Sequence, residues 1–255
     1  MTDNFFWCVN PNSGDTGGLL GNDWVTPDIA KVNLLGGLVT NPTNILSLIN
    51  SISTSSNCTG NGTTTNTTTK CTTNCNSTNI TNTNDTNSTN NNTNQTNTNN
   101  SCQNVYSSQK GVLMINGQRF YLKGASWFGF ETGVSTVHGL WSVDYKFLID
   151  FLASNGFNAV RLPFALDLVI KNPVPSSISF GYCTNNVNCN KDLQGLTSLE
   201  VMDKVIAYMG SKGILVMLDM HSFAPDAFAS NGLWYDSTHS EAQVISGMEN
   251  PCCAL

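Results

Sequence analysis

The chain has 255 residues, a formal net charge of -6 and only 11% charged residues. This length is enough for one or two domains. Lys and Arg form no basic patch, so we expect no nucleic acid as a partner. No apolar run reaches the length of a transmembrane helix, so we expect no membrane partner either. The nine cysteines leave at least one thiol without an intramolecular partner if all the others pair.

The first 56 residues combine aromatic side chains with two short apolar runs, and we recognise no family in them. The second run has weak helical spacing, with apolar residues at positions 45, 48, 49 and 52. Two interpretations stay open: a sugar-stacking surface, or the remnant of a small domain, which we favour. We therefore predict an N-terminal segment of unknown fold over residues 1–56. Its aromatic residues include Phe5, Phe6, Trp7 and Trp24.

Residues 57–106 are predicted to be a disordered linker rich in Asn and Thr. Positions 57–101 hold no aromatic residue and one large aliphatic residue, Ile80, so they cannot bury enough apolar surface to offset the entropy of folding. Ten Asn-x-Ser/Thr acceptor sites lie here and none elsewhere. Although such a mixture produces many acceptor sites by chance, their confinement favours a glycosylated linker in a secreted protein. The first residues lack a basic region and an apolar core, so we expect no secretory signal in them.

Two pairs of cysteines are close enough in sequence to suggest a disulfide bond or a shared metal ion. Cys71 and Cys75 lie in the linker with no histidine nearby, so disulfides or incidental thiols are favoured over a metal site, and we predict no metal. Cys183 and Cys189 lie in a long predicted loop. In a secreted protein we expect these two to form a local disulfide that fixes the loop.

Residues 107–255 alternate between strand and helix patterns after an initial hairpin. Asn116-Gly117 separates two arms of the hairpin and predicts a type I′ turn. Apolar strands are predicted near Leu122–Trp127, Gly156–Phe164 and Gly213–His221, with amphipathic helices between and after them. This alternation indicates a parallel sheet with right-handed crossovers.

Local signals set the predicted limits of these elements. Thr197 with Glu200, and Thr238 with Glu241, are spaced as capping boxes that begin helices. Pro163 is predicted to end the second strand, and a long loop is predicted over residues 165–196. The pair at positions 250 and 251, Asn-Pro, is predicted to interrupt the last helix.

Polar residues follow the strands at the end where parallel α/β folds bind ligands. Arg161 lies within the second strand, and its burial requires a carboxylate or a substrate oxygen as a partner. His221 after the third strand is assigned to a cleft rather than to the core, and Asp219 to orienting its neighbours. No Gly-rich phosphate loop follows the first strand, so we expect no dinucleotide and no other cofactor. This clustering of polar residues favours a barrel over a doubly wound sheet.

Five motifs in this order resemble glycoside hydrolase family 5, and most closely its secreted endo-β-1,4-glucanases, the cellulases. The resemblance spans about residues 111–247. The motifs are Leu122-Lys-Gly-Ala-Ser-Trp-Phe-Gly-Phe-Glu-Thr132, His138-Gly-Leu-Trp141, Gly156-Phe-Asn-Ala-Val-Arg-Leu-Pro-Phe164, Leu193-Gln-Gly-Leu-Thr197 and Leu218-Asp-Met-His221.

The resemblance implies a (β/α)8 TIM barrel that hydrolyses β-1,4-glucan with retention, using two glutamates about 5 Å apart. Arg161 matches the arginine that supports the nucleophile, and His221 matches the cleft histidine after the third strand. Trp127 matches a sugar-stacking aromatic residue. Trp141 and Trp234 lie in predicted loops beyond strands and are candidate substrate contacts, with core packing as an equal alternative.

The sequence departs from the family pattern after the third strand, because neither glutamate-bearing motif is present. Glu249-Asn250-Pro251 has the wrong order and lies in a predicted helix, so Glu249 is interpreted as a coincidence. We therefore expect a truncated, inactive barrel of about three strands. Three origins stay open: an alternative end of a true hydrolase, a non-catalytic glucan-binding module, or a product without function.

Overall fold

The computed structural model describes residues 3–55, 104–184, 189–227 and 232–253. Most of the predicted linker, with its glycosylation sites and cysteines, lies outside these ranges. Helices and strands, in chain order, are β1 (Asn4–Trp7), α1 (Ile29–Leu38), α2 (Ile45–Ser55), β2 (Tyr106–Gln109), β3 (Val112–Ile115), β4 (Gln118–Arg119), β5 (Lys123–Ser126), α3 (Tyr145–Ser154), β6 (Ala159–Ala165), α4 (Leu166–Lys171), a 3-10 turn (Lys191–Leu193), α5 (Ser198–Ser211), β7 (Leu215–Ser222) and α6 (Glu241–Cys253).

A parallel sheet of four strands in the order β1-β5-β6-β7 organises the fold. Ala125 at its centre pairs with Phe6 on one side and with Val160 on the other. All four residues of β5 are buried, which is typical of parallel strands covered on both faces. Because the strands are parallel, their carboxyl ends meet at one edge of the sheet.

The N-terminal segment is part of this sheet. β1 pairs with β5 over four residues, and the N–H of Val9 donates to the carbonyl of Ser126 at 2.8 Å. The ring of Trp24 lies so close to Gly139 that a β-carbon there would be 2.5 Å from it. The described residues 3–55 thus join the later region, because β1 extends its sheet and Trp24 and Leu35 lie in its core. The favoured interpretation, the remnant of a small domain, does not describe this arrangement.

Helix α2 forms in the second apolar run, as the helical spacing of that run predicts. It packs at the amino-terminal edge of the sheet. Ile45 shares a buried cluster with Ile115 and Phe120. The side chain of Asn158 donates to the carbonyls of Thr43 and Tyr121, both at 2.8 Å. These contacts fix the amino-terminal edge of the sheet.

The hairpin of β3 and β4 forms as predicted. Ile115 pairs with Gln118 across the turn, and Asn116 and Gly117 have φ of 51° and 79°. Positive φ at both central residues is the requirement of a type I′ turn, which Asn and Gly tolerate. β2 adds a third antiparallel strand on the other side of β3.

Helices α3 and α5 pack against each other, and α5 packs against β7. The capping box predicted at Thr197 and Glu200 is confirmed. The apolar stripes of α3 and α5 complete the core. Its buried members include Leu148, Leu152, Val160, Leu162, Met202 and Val205. Both helices are amphipathic, so this packing removes their apolar stripes from water.

Four sequence-based predictions differ from the structure. Pro163 lies inside β6 and pairs with Asp219, and the predicted long loop contains α4 and the 3-10 turn. The last helix is capped by Ser240, whose N–H and hydroxyl bind the side chain of Gln243, rather than by Thr238. Its backbone continues to Cys253, past the predicted Asn-Pro interruption.

Candidate functional site

Arg161, Asp219 and His221 meet at the carboxyl edge of the sheet, as the sequence predicted for strand-end polar residues. Arg161 on β6 forms an ion pair with Asp219 on β7. Nδ1 of His221 lies 3.1 Å from the Arg161 guanidinium and 3.1 Å from the Asp219 carboxylate. The arginine side chain is 21% exposed and the histidine 44%. The Asp219 carboxylate thus neutralises the largely buried Arg161 guanidinium, while the His221 imidazole faces solvent.

β1 adds an indole to this cluster. Trp7 is the last residue of β1, and the Arg161 guanidinium carbon lies 5.8 Å from its ring centroid. The same indole stacks on Phe128, with centroids 5.6 Å apart and planes inclined by 11°. Its Nε1 donates to Ser13 at 3.2 Å. Three strands therefore bring a cation, a carboxylate, an imidazole and an aromatic ring to one place.

Asn10 connects the end of β1 to the loop after β5. Its amide donates to the carbonyl of Phe128 at 3.0 Å, and its oxygen accepts from the Phe128 N–H at 3.1 Å. Asn10 has no exposed surface. This reciprocal pairing replaces the strand hydrogen bonds that end at this point, and so positions both Phe128 and the neighbouring Trp7.

His138 lies behind Phe128 as a buried, neutral imidazole. Burial lowers its pKa to about 4. The Asn12 amide lies 3.0 Å from Nδ1, and the Thr132 hydroxyl 3.0 Å from Nε2. Because that hydroxyl also donates to the Gly129 carbonyl, it accepts from Nε2–H, and Nδ1 accepts from Asn12. The neutral ring is therefore hydrogen-bonded through both nitrogens and links Asn12 to the loop that carries Thr132.

Glu131 is a carboxyl group beside this cluster. Its Oε2 accepts from the Gly129 N–H at 2.7 Å. Burial raises its pKa, and this hydrogen bond and the positive charges of His221 and Arg161 act in the opposite direction. The loop that carries Glu131 is joined to the loop after β7, because the Asp226 N–H donates to the Glu131 carbonyl at 2.9 Å.

The three predicted substrate tryptophans have different environments. Trp127 has no exposed surface and donates through Nε1 to the His138 carbonyl at 2.9 Å, so its predicted stacking on a substrate does not hold in this structure. Trp141 is 37% exposed and Trp234 is 49% exposed. Trp141 contacts His138 edge to face, whereas Trp234 contacts Tyr235.

Sequence reasoning named Trp7 among aromatic residues that could form a sugar-stacking surface, which was the less favoured interpretation, and it did not single out Asn10 or Asn12. The polar residues that follow the aromatic run resemble the arrangement after β6 and β7, but the pattern does not state which strand the run joins. The linker that follows separated this segment from the others and hid the relationship.

Within the described residues, no group of three or more His, Cys, Asp or Glu is arranged to hold a metal ion. Helices long and apolar enough to cross a bilayer are also absent from the described part of the chain. The predicted disulfide between Cys183 and Cys189 is formed, and Cys8 is a buried free thiol.

Comparison with known proteins identifies the fold and the family. The model of the cellulase family, glycosyl hydrolase family 5, matches residues 113–249. The chain is 41% identical over 142 residues to the major extracellular endoglucanase of Xanthomonas campestris pv. campestris, covering 56% of this chain and 28% of that protein. It is 35% identical over 131 residues to an endoglucanase of Paenibacillus polymyxa, covering 51% of this chain and 31% of that protein.

A solved structure also matches this chain. The endocellulase of Pyrococcus horikoshii, crystallised as a variant in complex with cellotetraose, matches with a TM-score of 0.51 at 33% identity, over 56% of this chain and 37% of that one. The chain thus spans about a third of the length of the relatives it matches.

β1 lies outside the family match, yet it holds the position beside β5 that the last strand occupies in a closed eight-stranded barrel. The sheet is part of a (β/α)8 barrel, and the chain belongs to glycoside hydrolase family 5.

Proposed function

We propose that the protein binds β-1,4-glucan chains in a cellulase-type cleft at the carboxyl edge of its sheet. The observation that carries this proposal is the cluster of Arg161, Asp219 and His221 with Trp7 beside it. Sugars present both hydroxyl groups and apolar C–H faces, so they suit a site of hydrogen-bonding groups next to an indole. The edge is also where barrel enzymes of this kind hold their substrates.

The relatives support the chemical class of the ligand. Two are endoglucanases, and the Pyrococcus horikoshii endocellulase was crystallised with cellotetraose. The family match over residues 113–249 includes Arg161, Asp219 and His221. We therefore assign a β-1,4-linked glucan rather than a charged polysaccharide as the ligand.

Cleavage of the glucan requires two catalytic carboxyl groups, which this cluster does not provide. Retaining hydrolysis uses one carboxylic acid and one carboxylate that flank the scissile bond. Glu131 is bound by a backbone N–H, and Asp219 is neutralised by Arg161. The other glutamates lie on helices α5 and α6. We propose that these 255 residues bind the glucan without cleaving it, and that hydrolysis needs the two glutamates that the resemblance implies.

Secretion is proposed on separate grounds. One relative is described as extracellular, and the Cys183–Cys189 disulfide suits an oxidising compartment. The ten acceptor sites of residues 57–101 are then expected to carry glycans. Expression in a secreting eukaryotic host and treatment with an endoglycosidase tests this, because loss of mass on treatment supports it and an unchanged mass contradicts it.

Calorimetric titration of the full chain with cellotetraose tests the binding proposal, with a four-unit β-1,3-linked glucose oligomer as the control. We expect binding of the β-1,4 oligomer and weaker or no binding of the control. Release of reducing ends from a soluble β-1,4-glucan is measured in parallel, and we expect no release above a protein-free blank. Failure to bind cellotetraose would overturn the proposal, and clear turnover would overturn its non-cleaving part.

A further inference from the structure

The parallel sheet has two free edges. Within the described residues, β1 pairs only with β5, and β7 pairs only with β6. A (β/α)8 barrel closes with eight parallel strands, and the described sheet supplies four of them. We propose that two copies of this chain join edge to edge, with β7 of each beside β1 of the other, and so close one eight-stranded barrel. The inference rests on the fold and is independent of the proposed binding of glucan.

The free edge of β7 offers backbone hydrogen bonds to a further strand. The Leu215 N–H donates to the Asn158 carbonyl at 2.9 Å, which lies on the side of β6. Successive residues of a strand direct their backbone groups to opposite sides, so Val216 and Leu218 direct theirs away from β6. These groups are the ones that pair when a parallel strand is added to the edge.

β1 presents a matching edge at the other side of the sheet. The Asn4 N–H donates to the Leu122 carbonyl at 3.2 Å, so Phe5 directs its backbone groups away from β5. Neither β1 nor β7 contains Lys, Arg or Pro, the residues that commonly protect an exposed edge from pairing. The one carboxylate of β7, Asp219, is paired with Arg161. Both edges therefore suit a further parallel strand.

The inner face of the sheet is covered less well than its outer face. Val160 and Leu162 point to the outer face, where they pack in one core with α3 and α5, and neither is exposed. Met217 pairs with Arg161, so it lies on the opposite, inner face, and it is 45% exposed. In a closed barrel the inner face is filled by side chains from all the strands around it. The inner face of a second copy would therefore bury Met217.

The helices that follow the two edge strands also expose apolar side chains. Leu34 and Leu38 on α1 are 65% and 52% exposed, and Ile245 and Met248 on α6 are 52% and 37% exposed. By contrast, α3 and α5, whose residues are all described, expose no large apolar side chain. In a right-handed crossover the helix after a strand lies between that strand and the next one. We therefore expect α6 of one copy to pack beside α1 of the other.

The geometry limits the association to two copies. Contact between β7 and β1 is head to tail, and such contacts form either a closed ring or an open chain. Four strands make half of an eight-stranded barrel and turn through about 180°, so the ring closes when the second copy is added. Both clusters of Arg161, Asp219 and His221 then lie at one mouth of the barrel.

Sedimentation equilibrium of the full chain, without any glucan, tests the proposal. Mass spectrometry of the same sample under denaturing conditions gives the mass of one chain. We expect a dimer, and we expect Met217→Lys to raise its dissociation constant about a hundred-fold or more, because the closed barrel would bury a charge without a partner. Val174→Lys is the matched control, because Val174 is 62% exposed on the connection between α4 and α5, away from both edges, and this variant should remain dimeric.

Leu34→Lys is a second test on the other side of the interface. Leu34 is 65% exposed, so its replacement should leave a single copy folded, as circular dichroism would show, and it should also weaken the dimer. A wild-type chain that stays monomeric at every concentration, or that forms assemblies larger than two, would overturn the proposal. Folded Met217→Lys and Leu34→Lys proteins that remain dimeric would overturn it too, as would equal dissociation of Val174→Lys.

The dimer and the proposed function can fail separately. A monomer that binds cellotetraose would overturn the dimer and leave the glucan cleft in place. A dimer that dissociates in Met217→Lys but does not bind cellotetraose would support the closed barrel and overturn the proposed function.

Discussion

The guanidinium of Arg161 lies over the indole of Trp7, 5.8 Å from the ring centroid, although the two residues come from opposite sides of the linker. One residue belongs to the family match and the other precedes it. The contact exists because β1 pairs in parallel with β5 and ends at the same edge as β6. The candidate cleft is therefore built jointly by both parts of the chain.

Replacing Arg161 with lysine should weaken glucan binding more than it weakens the fold. Lysine keeps the charge but lacks the planar guanidinium, whose Nη2 contacts both Asp219 and His221. We expect about ten-fold weaker binding of cellotetraose, equivalent to about 1.4 kcal/mol, with a melting temperature close to that of the wild type. Arg119→Lys, at an exposed position of β4, is the control and should bind normally. Loss of stability without loss of affinity would make Arg161 purely structural.

Stability should fall as pH falls from about 6.5 to about 4, because His138 is neutral when folded. Its pKa is about 4 in the folded protein, against an unfolded value of about 6.5. Between these values the unfolded chain binds more protons, so acid favours unfolding, by at most about 3 kcal/mol. Urea unfolding at several pH values measures the effect.

His138→Gln provides the control for this pH dependence. Glutamine does not titrate, so the variant should be less stable at neutral pH but flatter across the same interval. An identical slope in the variant and the wild type would assign the pH dependence to other groups.

Asn10→Ala should destabilise the protein by about 2 kcal/mol. The substitution leaves the Phe128 N–H without its partner, at a cost of about 1–3 kcal/mol, whereas the Phe128 carbonyl still accepts from the His138 N–H at 3.0 Å. The urea midpoint reports the change. Asn33→Ala is the control, because Asn33 lies on the exposed face of α1, where water solvates its side-chain amide. This substitution should change stability little. Equal effects of the two substitutions would contradict the bridging role of Asn10.

Removing the Cys183–Cys189 disulfide with the double Ser substitution should lower the free energy of unfolding by about 2 kcal/mol, the value expected for closing a short loop. The remaining backbone bonds of this connection, such as the Thr184 N–H to the Ser142 carbonyl at 3.0 Å, should keep it folded at room temperature. Calorimetric melting with and without reductant checks this. A wild-type melting curve that reductant leaves unchanged would contradict the stabilising role.

Much of the region after the linker could be predicted because its signals are local. The Asn116-Gly117 turn, the Thr197 and Glu200 capping box and the apolar strands each follow from a few adjacent residues. Pro163 was misplaced because its missing N–H is compatible with a position inside β6, where β7 pairs with it on one side. The last helix was assigned the wrong cap because Thr238 binds Asp236 and His239 instead.

The relationship between the two parts of the chain could not be predicted from local signals. Nothing in the spacing of Phe5, Phe6 and Trp7 states which strand they join, because parallel pairing is set by contacts distant in sequence. The burial of Trp127 was missed for a similar reason. Its partner is the carbonyl of His138, and only the folded loop brings that carbonyl to the indole.

The affinity of Trp7→Ala for cellotetraose tests the central claim most directly, because Trp7 lies outside the family match and reaches the cleft only if β1 occupies the edge of the sheet. Titration of the variant and the wild type, with circular dichroism to confirm that both are folded, gives the comparison. We expect the substitution to weaken binding by about ten-fold or more. Unchanged affinity in a folded Trp7→Ala protein would contradict a cleft built from both parts of the chain.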